Sequence, residues 1–566
     1  MPSAFAPKKK VIRQYKNNKT KTSLDQKMKK YLLTLGLIAA AAFSAATLRA
    51  QDTNAMATNM MAAATNAAAA APAAPPLTNA PSMEQRLESV EAYFLNGDPT
   101  ATYKDTNGNW TVNFGLGPSI INTNLANSTG ANVSFPGAGH NAWLLTSTAL
   151  VLFMTLPGLA LFYGGMVRRK NVLSVLAQCF LITGLVTILW VFVGYGMIFG
   201  GTNTPEKEDV ISGWVGSPMI CWMLKNVTSA PNPNYSYWVS ENVVAMFQLM
   251  FAIITPALII GSIAERMKFK AVFVFMTLWM LIVYFTQGHA VWGINGAMNG
   301  VWNAKATIHA MDFAGGTVVH MTSGFSALTL CLILGKRKGF GKENFAPHSL
   351  VLTFIGTGML WVGWYGFNSG SAVAGDIIAA NAFTTTTIAT AVASFVWPMW
   401  EWLVKGKPSV LGFCSGAVAG LVVITPACGY ITPQGSIWIG IAAGTICWFM
   451  CYKVKGWFGY DDALDTFGVH AIGGMTGAIM TGMLARNVAN PNFATNMSKY
   501  VTDTCFQPLV WEQCKAVGIT IVLSVIGTVI IAFITKLLVG LRPTEDVEMT
   551  GLDESEHGEV GYHNMG

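Results

Sequence analysis

Two histidines lie inside long apolar segments of the chain, His320 in GGTVVHMTSGFSALTLCLI and His470 in FGVHAIGGMTGAIM. An ionisable side chain at bilayer depth is costly, so it faces a protected interior and works there. A neutral imidazole carries one donor and one acceptor nitrogen. Two of them can share a proton and pass hydrogen bonds along a narrow passage. Each histidine also follows an aspartate by eight positions, Asp312 before His320 and Asp462 before His470. The repeated spacing predicts two halves of one duplicated design, each delivering an imidazole to a common place. Eight residues span ~12 Å along an ideal helix. Asp312, Asp462 and Asp465 are therefore expected to cap their helices and orient backbone groups rather than touch an imidazole. A bis-histidine haem protein would use the same residue types. The chain otherwise lacks cofactor signals: its nine cysteines are scattered, with no CxxC, no CxxCH and no zinc spacing, and no GxxxxGK[ST] loop cradles a nucleotide. The reading is a transport pathway, not an enzyme, with no metal and no cofactor.

The elements that must hold these side chains follow from composition. The 566 residues are 52% hydrophobic and 11% charged, too little charge to cover the surface of a soluble protein of this length. Apolar stretches near the roughly 20 residues of a spanning helix recur from about residue 142 to residue 541. Eleven are expected, centred near residues 152, 185, 253, 282, 323, 361, 392, 419, 442, 476 and 528. The fold class is an all-α polytopic membrane protein. Histidines in the fifth and tenth spans imply a five-plus-five inverted repeat with a final extra helix, because five spans is an odd number. Small-residue runs such as Gly315-Gly316 and Gly473-Gly474 let helices approach closely.

Charge orients the spans. Arg168-Arg169-Lys170 follow the first, Arg266, Lys268 and Lys270 the third, and Lys336-Arg337-Lys338 and Lys342 the fifth. Lys405 and Lys407 follow the seventh, Lys453 and Lys455 the ninth, while the opposite loops carry only isolated bases such as Lys207, Lys225, Lys305 and Arg486. The positive-inside rule places the N-terminus outside and the tail after Leu541 in the cytoplasm of a multi-pass inner-membrane protein. The net charge of +7 comes largely from these loops and a lysine-rich start, and implies no nucleic acid. Cys221, Cys505 and Cys514 fall in loops outside the membrane, where a disulfide between two of them stays open.

The front of the chain reads differently. MKKYLLTLGLIAAAAFSAATLRA, residues 28–50, has the basic start, apolar stretch and small-residue end of a signal peptide; an extra membrane helix is the alternative. Residues 51–81 are a low-complexity Ala, Asn, Thr, Met and Pro linker, and Ser82-Met83-Glu84-Gln85 resembles a capping box. The expected segments are 1–50, basic extension and signal peptide; 51–138, linker and short external helix; 139–541, membrane domain; and 542–566, cytoplasmic tail.

Several blocks resemble the ammonium transporter family, the Amt/Mep/Rh group: PGLALFYGGMVRRKN (157–171), FQLMFAIITPALIIGSIAERMKF (247–269), DFAGGTVVH (312–320), WYGFNSGSA (364–372), SGAVAGLVVITPACGY (415–430) and FGVHAIGGMTG (467–477). Their order and spacing match over roughly residues 140–560. The resemblance implies ammonium as substrate and a homotrimer with a pore in each subunit. It implies Trp292 and Ser371, with Phe247 close by, as the external recruitment site; Phe251 and Phe367 as a stacked gate; and His320 and His470 as the pore pair. Asp312, Trp364 and Asp462 are implied as supporting residues. On composition alone, Phe251 and Phe367 would be core aromatics. Recruitment of ammonium by an indole face and a serine hydroxyl is physically apt.

The tail carries Glu545, Asp546, Glu548, Asp553, Glu554, Glu556 and Glu559 against a single Arg542. Composition alone reads it as a solvated segment. The resemblance implies instead that it folds against basic loops such as Lys336-Arg337-Lys338, and that it offers a surface to PII-type regulators. An ammonium sensor signalling through this tail, with little flux, is the rival function.

Overall fold

The computed structural model describes residues 137–200 and 210–562 except residues 233 and 237, together with four two-residue strands before residue 137. The signal peptide, the low-complexity linker and the capping-box segment lie outside the described residues. Among the described residues, ten helices are long and apolar enough to cross a bilayer. They are α1 (Gly139–Met166), α2 (Arg169–Phe199), α3 (Glu241–Ile263), α4 (Phe269–Trp292), α5 (Gly316–Leu334), α6 (Leu350–Gly370) and α7 (Ile377–Lys405), then α9 (Pro433–Phe458), α10 (Phe467–Leu484) and α11 (Leu509–Val539). Between α7 and α9 lies α8 (Val410–Ile424), apolar but shorter. The chain is an all-α polytopic membrane protein, its helices falling where the apolar stretches predict them.

α8 is short for a definable reason. Pro426 has no N–H to continue the helix, and residues 425–431 run on as non-helical backbone, all buried. Such backbone survives inside a bundle only where side chains satisfy it. Here Thr385 donates to the Cys428 carbonyl (2.8 Å), Asn490 to Gly429 (3.0 Å) and Asn381 to Ile431 (2.9 Å), while the Phe313 N–H donates to Pro426 (3.2 Å).

Of these ten long helices α3 and α5 are the most enclosed, and α5 packs on α3, α10 and α11. Both histidine-bearing helices open with a π-helical turn, Gly316–Met321 in α5 and Phe467–Ala471 in α10. They also cross without intervening side chains. A Cβ on Gly474 would lie 2.6 Å from the Gly316 carbonyl oxygen and 3.0 Å from the His320 Cβ, and one on Gly324 would strike the backbone nitrogen of Ala471. Each of these glycines stands four residues after its own histidine. The glycine at this spacing is what lets the two imidazoles meet.

The open question of a disulfide is answered against one. The described residues hold all nine cysteines and every thiol is free. Cys221 is buried while Cys505 is exposed.

Candidate functional site

The aromatic side chains form one column of touching rings. Trp292, half-buried at the end of α4, donates its indole N–H to the Asp312 main-chain carbonyl (3.1 Å). Phe251 meets Trp292 edge-on at a centroid distance of 5.9 Å, and Phe247, one turn earlier on α3, meets Phe251 at 5.0 Å. Phe251 and Phe367 stack at 4.1 Å with planes 19° apart. Beyond them, Trp364 stacks on His320 (5.4 Å, 19°), and His320 on His470 (5.4 Å, 25°). The two Nδ1 atoms are 3.3 Å apart, so one ring donates and the other accepts. With the rings in direct contact no space is left for a macrocycle between them, and the bis-histidine haem alternative falls. Burial follows the order of the column: Trp292 and Ser371 are partly accessible, whereas Phe247, Phe251, Phe367, His320 and His470 are buried.

Ser371 closes the end of α6, its hydroxyl donating to the Phe367 carbonyl (2.8 Å) and keeping its oxygen lone pairs as acceptors. Its neighbour Gly370 packs so tightly that a Cβ there would lie 2.9 Å from the Phe247 ring. The sequence-predicted residues from α3, α4, α5, α6 and α10 are thus in one place.

Capping accounts for the aspartates, unevenly. Asp312 accepts from the backbone N–H groups of Gly315 (2.8 Å), Gly316 (2.7 Å), Thr317 (2.8 Å) and Val318 (3.2 Å), and from the Thr317 hydroxyl. It satisfies the N-terminal donors of α5 that no helical partner reaches. Asp462 accepts only the Phe467 N–H, through Oδ2 (2.7 Å). Its Oδ1 is buried without a partner beside Ser262, whose hydroxyl donates to the Ala327 carbonyl instead (3.0 Å). Burial therefore pushes the Asp462 carboxyl above the usual carboxylate range. Asp465 departs from the expectation: it sits at φ 60° and pairs with Lys455 (2.6 Å), capping nothing.

Sequence reasoning missed the residues that hold this column in place. The Trp364 indole donates to the Thr425 hydroxyl (2.9 Å) in the backbone break after α8. That hydroxyl is in reach of the Leu421 carbonyl (2.7 Å) and the Asn368 amide oxygen (3.3 Å), and Asn368 donates to Thr386 (2.9 Å). Beneath α10, Arg337 binds Asp461 (2.8 Å) and Glu265 (3.2 Å), Arg266 reaches Asp461 (3.3 Å), and Arg168 binds Glu265 (2.9 Å). Burial works against the Asp461 charge, but the Arg337 hydrogen bonds and the two guanidinium charges outweigh it and hold this carboxyl below its usual range. The Arg168 and Arg337 guanidinium groups both lie over the Phe345 ring, at 4.2 and 4.4 Å. These pairs lie tens to hundreds of residues apart and leave no local pattern to read.

The tail folds against the same face. Glu545 pairs with Lys338 (2.6 Å), and Glu548 takes the Lys338 N–H (2.7 Å) and the Arg542 guanidinium (2.7 Å). Of the basic trio, Lys338 alone meets the tail acids, since Arg337 is committed to Asp461 and Glu265. Unforeseen anchors sit under α2: Asp553 accepts the Leu173 (3.0 Å) and Ser174 (2.7 Å) N–H groups, and Asn171 accepts the Leu552 N–H (2.9 Å).

Comparison with known proteins gives the chain's relatives. Residues 142–562 match the model of the Ammonium Transporter Family. An ammonium transporter of Aquifex aeolicus is 43% identical over 427 residues, covering 75% of this chain and 93% of its own, and one of Mycobacterium tuberculosis is 42% identical over 435 residues, covering 75% and 91%. The crystal structure of Saccharomyces cerevisiae Mep2 superposes with a TM-score of 0.66 at 27% identity, covering 81% of this chain and 98% of that one.

Proposed function

The chain belongs to the ammonium transporter family, and on that premise we propose that it carries ammonium across the membrane by binding the cation and conducting ammonia. Trp292, Phe247 and Ser371 recruit ammonium. The cation loses its proton at the Phe251–Phe367 gate, and ammonia passes along His320 and His470. The observation that carries the proposal is the unbroken column of rings ending in two imidazoles 3.3 Å apart, Nδ1 to Nδ1. An indole face attracts a partly desolvated cation, and a serine oxygen accepts from its N–H groups, which potassium does not have. A bare ion is costly to carry through the buried column, whereas neutral ammonia is cheap. His320 Nε2, buried without a protein partner, is a hydrogen-bonding group facing such a guest.

In this reading α1 to α11 are eleven spans, α8 completing its crossing through the buried backbone 425–431. The first ten form two inverted halves, with the N-terminus outside and the tail in the cytoplasm of a bacterial inner membrane. Residues 1–50 act as a basic extension and signal peptide, 51–138 as a low-complexity linker and short external helix region, 139–541 as the transport domain and 542–566 as a regulatory tail. The functional unit is a homotrimer whose docked tail receives a PII-type regulator. Uptake of ammonium and methylammonium into proteoliposomes, with current recorded together, tests the transport. Uptake no faster than in protein-free liposomes would sink it. Deleting residues 543–566 is expected to keep the trimer while lowering or deregulating flux, and unchanged flux with unchanged regulation would leave the tail a bystander.

A further inference from the structure

The geometry points to Gln513 of α11 as a positioning residue for ammonium recruitment, an assignment that rests on the role proposed above for Trp292. Its amide fixes the Trp292 indole through the main chain of Met311 and Asp312.

Residues 309–312, between α4 and α5, are non-helical, and Ala310, Met311 and Asp312 are buried. Buried backbone of this kind needs partners for its N–H and carbonyl groups. Ala310 accepts the Gly300 N–H (3.0 Å). Two adjacent side chains of α11 serve its neighbours. Glu512 accepts the His309 N–H (2.9 Å). Gln513, itself buried, answers Met311 in both directions, as a neighbouring strand would. Its Oε1 accepts the Met311 N–H (2.9 Å), and its Nε2 donates to the Met311 carbonyl (2.8 Å). Nε2 also donates to the Ala478 carbonyl of α10 (2.9 Å). A side-chain amide has two N–H donors, and both are in use.

The consequence lies one peptide bond away. Met311 precedes Asp312, whose carbonyl accepts the Trp292 indole N–H (3.1 Å), and an indole has one such hydrogen to give. The Asp312 carboxylate is held by the first turn of α5, so its carbonyl is the part that a shift of Met311 moves. The pull of an indole face on a cation depends on where that face lies. The histidines stand apart from this chain of contacts. Ala478 comes eight residues after His470, about 12 Å along a helix. Loss of the Gln513 amide therefore acts on capture of ammonium and leaves the imidazole pair in place.

The test measures uptake of ammonium and methylammonium against concentration in proteoliposomes holding the full chain, as the parent, Gln513→Met or Gln513→Glu. Methionine keeps the length and removes the hydrogen bonds. Glutamate keeps an acceptor for Met311 and, ionised, has no donor for the two carbonyls; it decides the matter if the methionine variant does not fold. The half-saturating concentration should rise about tenfold, with the maximal rate within about twofold of the parent, as for a loss of binding alone. In a Trp292→Leu background the same substitutions should move it by less than about twofold, because the side chain they misplace is gone. An unmoved half-saturating concentration, or an equal rise with and without Trp292, would overturn the assignment. Failure of both variants to fold would overturn it too, leaving Gln513 to the fold alone. A parent without saturable uptake counts instead against the recruitment role of Trp292, whereas a working parent with unmoved variants counts against Gln513 only.

Discussion

α5 and α10 carry the same device with different supports. Each has an aspartate eight residues before its histidine, a π-helical first turn around that histidine and a glycine four residues after it. In α5 the aspartate is saturated: Asp312 holds four backbone N–H groups and a hydroxyl, and its own carbonyl carries Trp292. In α10 the corresponding Asp462 takes a single N–H and leaves an oxygen bare. What α10 has instead is its neighbour Asp461, tied to Arg337 and Arg266. Equivalent histidine placement on two helices thus does not require equivalent capping. One arm is fixed by its own first turn, the other by ion pairs from loops on the tail side.

The severest way to break this contrast is Asp312→Ala. Each buried N–H left without an acceptor costs about 1–3 kcal/mol. Four of them amount to a large share of the roughly 5–15 kcal/mol that keeps a domain folded. Loss of folded protein on size-exclusion chromatography is the expected outcome, and a well-folded Asp312→Ala variant would undo the distinction between the arms. His320→Ala and His470→Ala come next. Both should fold and both should lose flux or ammonium selectivity, by about tenfold or more for His320, whose ring touches Trp364, Phe367 and His470. Uptake assays with ammonium and methylammonium decide this, and unchanged rates in both variants would reduce the pair to packing.

A smaller effect sharpens the account of the column. Thr425→Val removes the acceptor of the Trp364 indole, and Thr425→Ser keeps it. Flux is expected to fall about tenfold in the valine variant, the equivalent of about 1.4 kcal/mol, and to stay within about twofold of the parent in the serine variant. Equal loss in both would assign Thr425 to shape rather than hydrogen bonding. The smallest effect has the opposite sign. Because the folded-state pKa of Asp462 is raised, its contribution to stability is present below the ordinary carboxylate pKa and is lost as pH rises through the folded value. In its ionised form this buried carboxyl is a burden. Asp462→Asn should raise the melting temperature slightly at pH 7, by a few degrees at most, and the gain should shrink as the pH is lowered. A lower melting temperature at pH 7 would show that the bare oxygen is in use.

Much of this was legible along the chain. Apolar run length set the helices, and His320 and His470 stood out because imidazoles are rare among such residues. The capping by Asp312 followed from its place ahead of a helix. Phe251 and Phe367 were different: nothing in composition separates them from core aromatics, and only resemblance marked them before the 4.1 Å stack did. Thr425, Asp461, Glu265 and Arg337 were illegible because their partners are distant in sequence. Asp465 misled for a related reason, since Lys455 claims its carboxylate from outside the local turn.

The glycine crossing of α5 and α10 has a consequence in genetics. A methyl group at Gly324 or Gly474 collides chiefly with main chain on the facing helix, the Ala471 nitrogen in one case and the Gly316 carbonyl in the other. Trimming a side chain across the contact therefore removes little of the obstruction. A selection for growth on scarce ammonium, begun from Gly324→Ala, is expected to return reversions to glycine rather than compensating changes at Ala471.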